Sequence, residues 1–80
     1  MNVMQIHKKK LLDIIARNIR KRRTLLGVSQ EELADVAGVH RTYIGMIERS
    51  EKNVTVLTLE KIADALHTPV DTLLKEEDTL

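Results

Sequence analysis

The chain has no cysteine, tryptophan or phenylalanine, and it has one proline, three glycines and one tyrosine in 80 residues. Each shortage excludes something. Without cysteine there are no disulfides and no thiolate metal sites. His7, His40 and His67 lie too far apart for a local H-x-x-x-H ligand pair, so each is expected at the surface or at a helix cap. With almost no aromatic residues, any core must come from Leu, Ile, Val and Ala, which interlock when helices pack closely. Few glycines and prolines leave few positions reserved for turns, which points to helices joined by short connections. No apolar run approaches the roughly 18–20 residues of a membrane span. The start, Met1-Asn2-Val3-Met4, lacks the features of a secretory leader. The expectation is one cytoplasmic domain with no cofactor and no membrane contact.

What is present is an asymmetric charge. Residues 1–49 hold ten Lys/Arg and five Asp/Glu, whereas residues 50–80 hold three and seven. The balance is therefore +5 in front and −4 behind, hidden in a net charge of +1. Such a division suits a protein that meets a polyanion on one side, although charges solvating opposite helix faces would also produce it.

Apolar spacing predicts five helices and no strand. Residues 1–10 end in His7-Lys8-Lys9-Lys10 and form either a basic arm or an extension of the first helix. Leu11, Ile15 and Ile19 make one helical stripe, with Arg17, Arg20, Lys21, Arg22 and Arg23 interspersed and Gly27 as the stop. Ser29-Gln30-Glu31-Glu32 is a capping box that opens a short second helix. Gly38 ends that helix. A third begins near His40 or Arg41 and runs to Arg49, with Ile44, Ile47 and Glu48 on one face and Arg41, Thr42, Gly45, Met46 and Arg49 toward the other. Thr55 or Thr58 caps a fourth, with Leu59, Ile62, Ala63 and Leu66 inward. In Thr68-Pro69-Val70-Asp71, threonine is the expected cap and proline the first helical residue of a short fifth helix. Residues 76–80 read as a frayed tail.

The informative unit spans residues 30–49. Ala34, four before Gly38, is small where two helices would cross. Ile44 and Ile47, six and nine after Gly38, anchor the second helix of the pair while its other face stays in solvent. That face carries Arg41, Thr42, Tyr43 and Arg49 and no acid, unlike a solvated bundle helix, which usually mixes both signs. An exposed helix of this kind fits a major groove about 12 Å wide.

The run IARNIRKRRTLLGVSQEELADVAGVHRTYIGMIERS over residues 15–50, with NVTVLTLEKIADAL over residues 53–66, resembles the Cro/phage-repressor type of helix-turn-helix domain. VHRTYIGMIER followed by KNVT is most similar, within that family, to controller proteins of bacterial restriction–modification systems. The resemblance implies an all-α, five-helix bundle of the lambda-repressor-like type over residues 11–75, with helices two and three as the DNA-reading unit. It implies that Gln30 bonds a phosphate, a role that a helix N-terminus also favours physically. It implies that Arg41, Thr42 and Tyr43 reach base edges or nearby phosphates, with Arg41 able to pair with guanine O6 and N7. Lys52, Asn53 and Thr58 match segments that grip the DNA backbone in relatives. Arg23 and Glu48 match a structural ion pair. Met46 and Arg49 join the expected contact face. Ser50, Val54 and His67 depart from the Gly, Pro and Gly common in the family, and they are expected to loosen the loops.

One recognition helix reads only a few base pairs, so two are expected, about 34 Å apart on a near-palindrome. Val70, Leu73 and Leu74 on the last helix are the expected homodimer interface. The reading is therefore a transcriptional regulator whose occupancy blocks or recruits RNA polymerase. The competing reading is an antitoxin or interaction module that masks a partner protein, although little sequence beyond the domain is left for a partner-binding segment. An enzyme is disfavoured, because the chain has no G-x-S-x-G and no glycine-rich phosphate loop.

Overall fold

In a computed structural model that describes residues 3–76, five helices run α1 Val3–Leu26, α2 Gln30–Ala37, α3 Arg41–Glu48, α4 Val56–Ala65 and α5 Val70–Leu74. There is no strand among the described residues. Residues 3–10 continue α1, which is the helix-extension alternative for the basic start. Residues 1–2, and 77–80 of the expected tail, lie outside the described residues. Among the described residues no helix is long and apolar enough to cross a membrane.

The helix starts follow local chemistry. The Ser29 hydroxyl accepts from the Glu32 backbone N–H at 3.0 Å and the Glu32 carboxylate accepts from the Ser29 N–H at 2.9 Å, closing the capping box. His40 Nδ1 accepts from the Thr42 N–H at 3.1 Å and opens α3. Thr55 opens α4 by accepting from the Thr58 N–H at 3.1 Å. At α5 the expectation shifts by one residue. Pro69, not Thr68, is the cap, and it offers no side-chain bond.

The ends of α1, α2, α3 and α4 share one device. After α1 and α2, Gly27 (φ 72) and Gly38 (φ 74) adopt the left-handed conformation that glycine favours. Val28 N–H and Val39 N–H then donate back to the carbonyls of Arg23 and Ala34. The same turn closes α3 and α4, but with Ser50 (φ 60) and His67 (φ 56) in the left-handed position. Glu51 N–H donates to the Met46 carbonyl at 2.9 Å and Thr68 N–H to the Ala63 carbonyl at 3.0 Å. The departures at Ser50 and His67 therefore do not open these two turns. They keep the glycine geometry with a side chain that resists it.

One core holds the five helices together. Ile15 and Ile19 of α1, Leu33, Ala34 and Ala37 of α2, Ile44 and Ile47 of α3, Leu59, Ile62, Ala63 and Leu66 of α4, and Leu73 of α5 are all buried in it. Leu11, the expected start of the α1 stripe, is exposed. Leu73, expected at a dimer interface, is wholly buried in the protein's own core and has no surface left for a partner. Val70 is half-buried against the same core and Leu74 is exposed. Buried Asn18 ties α1 to the end of α5. Its amide donates to the carbonyls of Leu73 at 2.9 Å, Lys75 at 2.8 Å and Thr72 at 3.3 Å. A helix C-terminus leaves such carbonyls without intrahelical partners.

Candidate nucleic-acid interface

Helices α2 and α3 pack together, with Ala34 buried, and are joined by a turn through Gly38, Val39 and His40. Ile44 and Ile47 are sealed into the core. The opposite side of α3 is thereby held at the surface, with Arg41, Thr42 and Arg49 exposed. Between the two helices lies an open cleft of about 580 Å³ bordered by Gln30, Arg41, Thr42, Gly45 and Arg49, with Arg23 beneath.

A buried ion pair underpins this cleft. The Glu48 side chain is only 2% exposed, and the Arg23 guanidinium meets it with two parallel bonds of 2.7 and 3.0 Å. Arg23 also donates to the Val28 carbonyl at 3.0 Å, which fixes the entry to α2. The Glu48 hydrogen bonds hold the Arg23 guanidinium above its ordinary pKa, against the opposing effect of burial. Arg20 donates to the Glu48 backbone carbonyl at 2.7 Å. These contacts clamp α1 to the C-terminal end of α3 and set the inclination of that helix.

The ion pair also reaches the surface. Gln30, the first residue of α2, donates its amide N–H to Glu48 Oε1 at 3.1 Å. The Gln30 side chain is thus tethered at the mouth of the cleft, at the N-terminus of α2. Tyr43 is half-buried and packs against the core, and the Lys52 ammonium lies 5.6 Å from its ring centre. This cation–π distance places Lys52 beside α3. Met46 is half-buried, and Lys52 and Asn53 are exposed. Thr58 is half-buried in the first turn of α4, where its hydroxyl accepts from that of Thr55 at 3.0 Å.

Gly45 does not lie open on the outward face. It is buried under Arg49 and Gln30, and a Cβ built there would stand 3.1 Å from Arg49 Nη1. Two further features escaped the sequence reading. Arg41 Nη1 pairs with Glu31 Oε2 at 3.2 Å, and Arg49 Nε pairs with Glu51 Oε1 at 3.1 Å. Neither the ten-residue nor the two-residue separation is a helical i,i+3 or i,i+4 spacing that would announce a pair.

A buried brace, a glycine turn and a second helix offered to solvent make this a helix-turn-helix protein. The family model described as Helix-turn-helix matches residues 19–73, and the chain belongs to that family. It is 49% identical over 65 residues to the control protein C.SmaI of Serratia marcescens, covering 81% of this chain and 77% of that one. The structure is similar to that of the restriction–modification controller protein C.AhdI from Aeromonas hydrophila, with a TM-score of 0.76 and 37% identity over 78% of this chain and 94% of that one. It is also similar to SinR, a master regulator for biofilm formation crystallised in complex with DNA, with a TM-score of 0.73 and 39% identity over 76% and 98% of the two chains.

Proposed function

We propose that this chain is a sequence-specific double-stranded DNA-binding transcriptional regulator, acting in the cytoplasm as a homodimer on a near-palindromic operator, and that it is a restriction–modification controller. The observation that carries the reading is the outward face of α3, where Arg41, Thr42 and Arg49 border a cleft braced from below by Arg23 and Glu48. An α-helix with its side chains is about 10–12 Å across, which fits a major groove about 12 Å wide, and the exposed face of α3 offers such a helix. Arg41 reads guanine through its fork, and Thr42 meets an adjacent base. Tyr43 and Met46, half-buried, contact the DNA at the rim. Gln30, Arg49, Lys52, Asn53 and Thr58 hold phosphates and set the register. Control protein C.SmaI and the controller C.AhdI support the narrower subfamily.

Dimerisation is assigned to α4 and α5. Leu74 and Val70 remain candidates for the interface, and the exposed Val56 and Leu57 at the start of α4 add apolar surface. Regulation follows from occupancy, the bound dimer blocking or recruiting RNA polymerase. Selection of bound duplexes from a random pool, followed by sedimentation with the recovered duplex, tests the reading. The expected result is paired half-sites about one helical turn apart, bound by two chains. Recovery of no sequence preference, or monomer alone at micromolar concentration with and without duplex, contradicts it.

A further inference from the structure

Arg41 on the outward face of α3 and Arg49, which caps the C-terminus of that helix, are both paired with acids in the free protein. Arg41 is held by Glu31 and Arg49 by Glu51, at 3.2 and 3.1 Å. The acids come from outside α3, one from the first turn of α2 and one from the loop that follows α3. All four side chains are more than half exposed, unlike the sealed pair of Arg23 and Glu48. The same chemistry thus serves as permanent architecture in one place and as an exchangeable contact in two others.

The stowed position of Arg49 has a seat. Its guanidinium folds back over Gly45, one turn upstream, where an added Cβ would crowd Nη1 at 3.1 Å. Glycine is a poor residue for a helix interior, and here its missing side chain makes the room. A carboxylate offers a guanidinium two oxygen acceptors, as a phosphate or the O6/N7 edge of guanine does. Glu31 and Glu51 therefore each engage one nitrogen, Arg41 Nη1 and Arg49 Nε, of a fork that DNA would use. With both latches closed, the two cations and two anions around the cleft cancel.

Building on the reading of α3 as the DNA-facing helix, we propose that Glu31 and Glu51 are intramolecular competitors of DNA. They hold Arg41 and Arg49 until a duplex displaces them, and they set the affinity of the free protein for DNA. Each arginine must give up that contact to turn its full fork toward DNA. The released carboxylate then stands near a polyanion, which adds to the penalty. Salt weakens exposed pairs, so the latches loosen under the same conditions that weaken binding to phosphate. The salt dependence of the wild-type protein is accordingly shallower than that of a protein without latches.

A pair of double-mutant cycles on the full chain tests this, with Glu31→Gln and Arg41→Gln singly and together, and Glu51→Gln and Arg49→Gln likewise. Binding is read by fluorescence anisotropy over a range of salt, on a duplex recovered from a random pool and on an unrelated duplex. Glu31→Gln is expected to tighten binding about two- to five-fold, the range for an exposed pair, and to steepen the salt dependence. That gain is expected to vanish in the Arg41→Gln background, with the same pattern for Glu51 and Arg49. If the gain persists undiminished without the arginine, the acid merely repels DNA and the proposal is wrong. Weaker binding by Glu31→Gln would mean that the acid orients the arginine for DNA, and this also overturns it. Failure of the wild-type chain to bind any duplex at low ionic strength would instead remove the reading of α3, and this proposal with it.

Discussion

Replacing Arg23 with methionine removes one member of a buried ion pair and strands the other. In the wild-type protein the Glu48 carboxylate, 2% exposed, receives two bonds from Arg23 at 2.7 and 3.0 Å and one from Gln30 at 3.1 Å. After Arg23→Met the Gln30 bond remains. Arg20, whose Nε stands 3.8 Å from Glu48 Oε1 and whose side chain is 58% exposed, offers a replacement cation. Breaking a buried pair from one side costs about 3–5 kcal/mol. Partial rescue by Arg20 puts this case near the lower end, about 3 kcal/mol. At about 0.05–0.15 kcal/mol per residue, a chain of 80 residues has roughly 4–12 kcal/mol in all. The single variant is therefore expected to lose between a quarter and most of its stability. Arg23→Met combined with Glu48→Leu removes both charges and fills the space with apolar atoms, a change that is often neutral or stabilising. The double variant is expected to recover most of the loss. Equilibrium urea unfolding followed by circular dichroism reads both, provided that the slope with denaturant stays constant. A single variant within about 0.5 kcal/mol of wild type, or a double variant less stable than the single, would refute the reasoning.

Three other perturbations test separate parts of the structure. Ser50→Gly and His67→Gly should each stabilise the protein. A left-handed conformation costs an ordinary residue about 1–2 kcal/mol, glycine's extra chain entropy returns about 0.5–1, and a net gain near 0.5–1 kcal/mol should raise the melting temperature by a few degrees; a lower melting temperature would contradict the strain. Asn18→Ala leaves the carbonyls of Thr72, Leu73 and Lys75 without their donor, so a loss of about 1–3 kcal/mol is expected, with faster hydrogen exchange in α5. Glu32 is held below its ordinary pKa first by the Ser29 backbone N–H and then by the Ser29 hydroxyl. Its stabilising effect is therefore complete above the unfolded value of roughly 4.3 and fades as pH falls through the lower folded value. Wild type should outlast Glu32→Gln in urea at neutral pH and converge with it in acid, and a difference that grew on acidification would contradict the assignment.

Much of the architecture was legible because the governing interactions are local. Ser29 and Glu32 are three residues apart, so their reciprocal bonds can be read from spacing. The alternation around Ile44, Ile47 and Glu48 fixes which side of α3 is sealed. The partnership of Arg23 with Glu48 is implied by the family resemblance alone, since a separation of 25 residues hides it from any periodicity. Asn18 was overlooked for the same reason. It sits in a basic run, and its acceptors lie 54 to 57 residues further on. Periodicity placed Leu73 on an apolar face but could not say whether the protein's own core or a second copy covers it. Gly45 read as outward by its register, yet a long neighbouring side chain folds over it. The acid that holds Arg41 lies on another helix and the one that holds Arg49 lies two residues away, a spacing that periodicity does not pair.

The central claim is that Arg41 reads a base from the exposed face of α3. The most direct measurement is the affinity of Arg41→Ala, against wild type, for a duplex selected by the wild-type chain and for that duplex changed one base pair at a time. A loss of about 1–3 kcal/mol on the selected duplex, with discrimination relaxed at one position, is the predicted result. Unchanged affinity for the selected duplex, or an equal loss on every sequence, would contradict it.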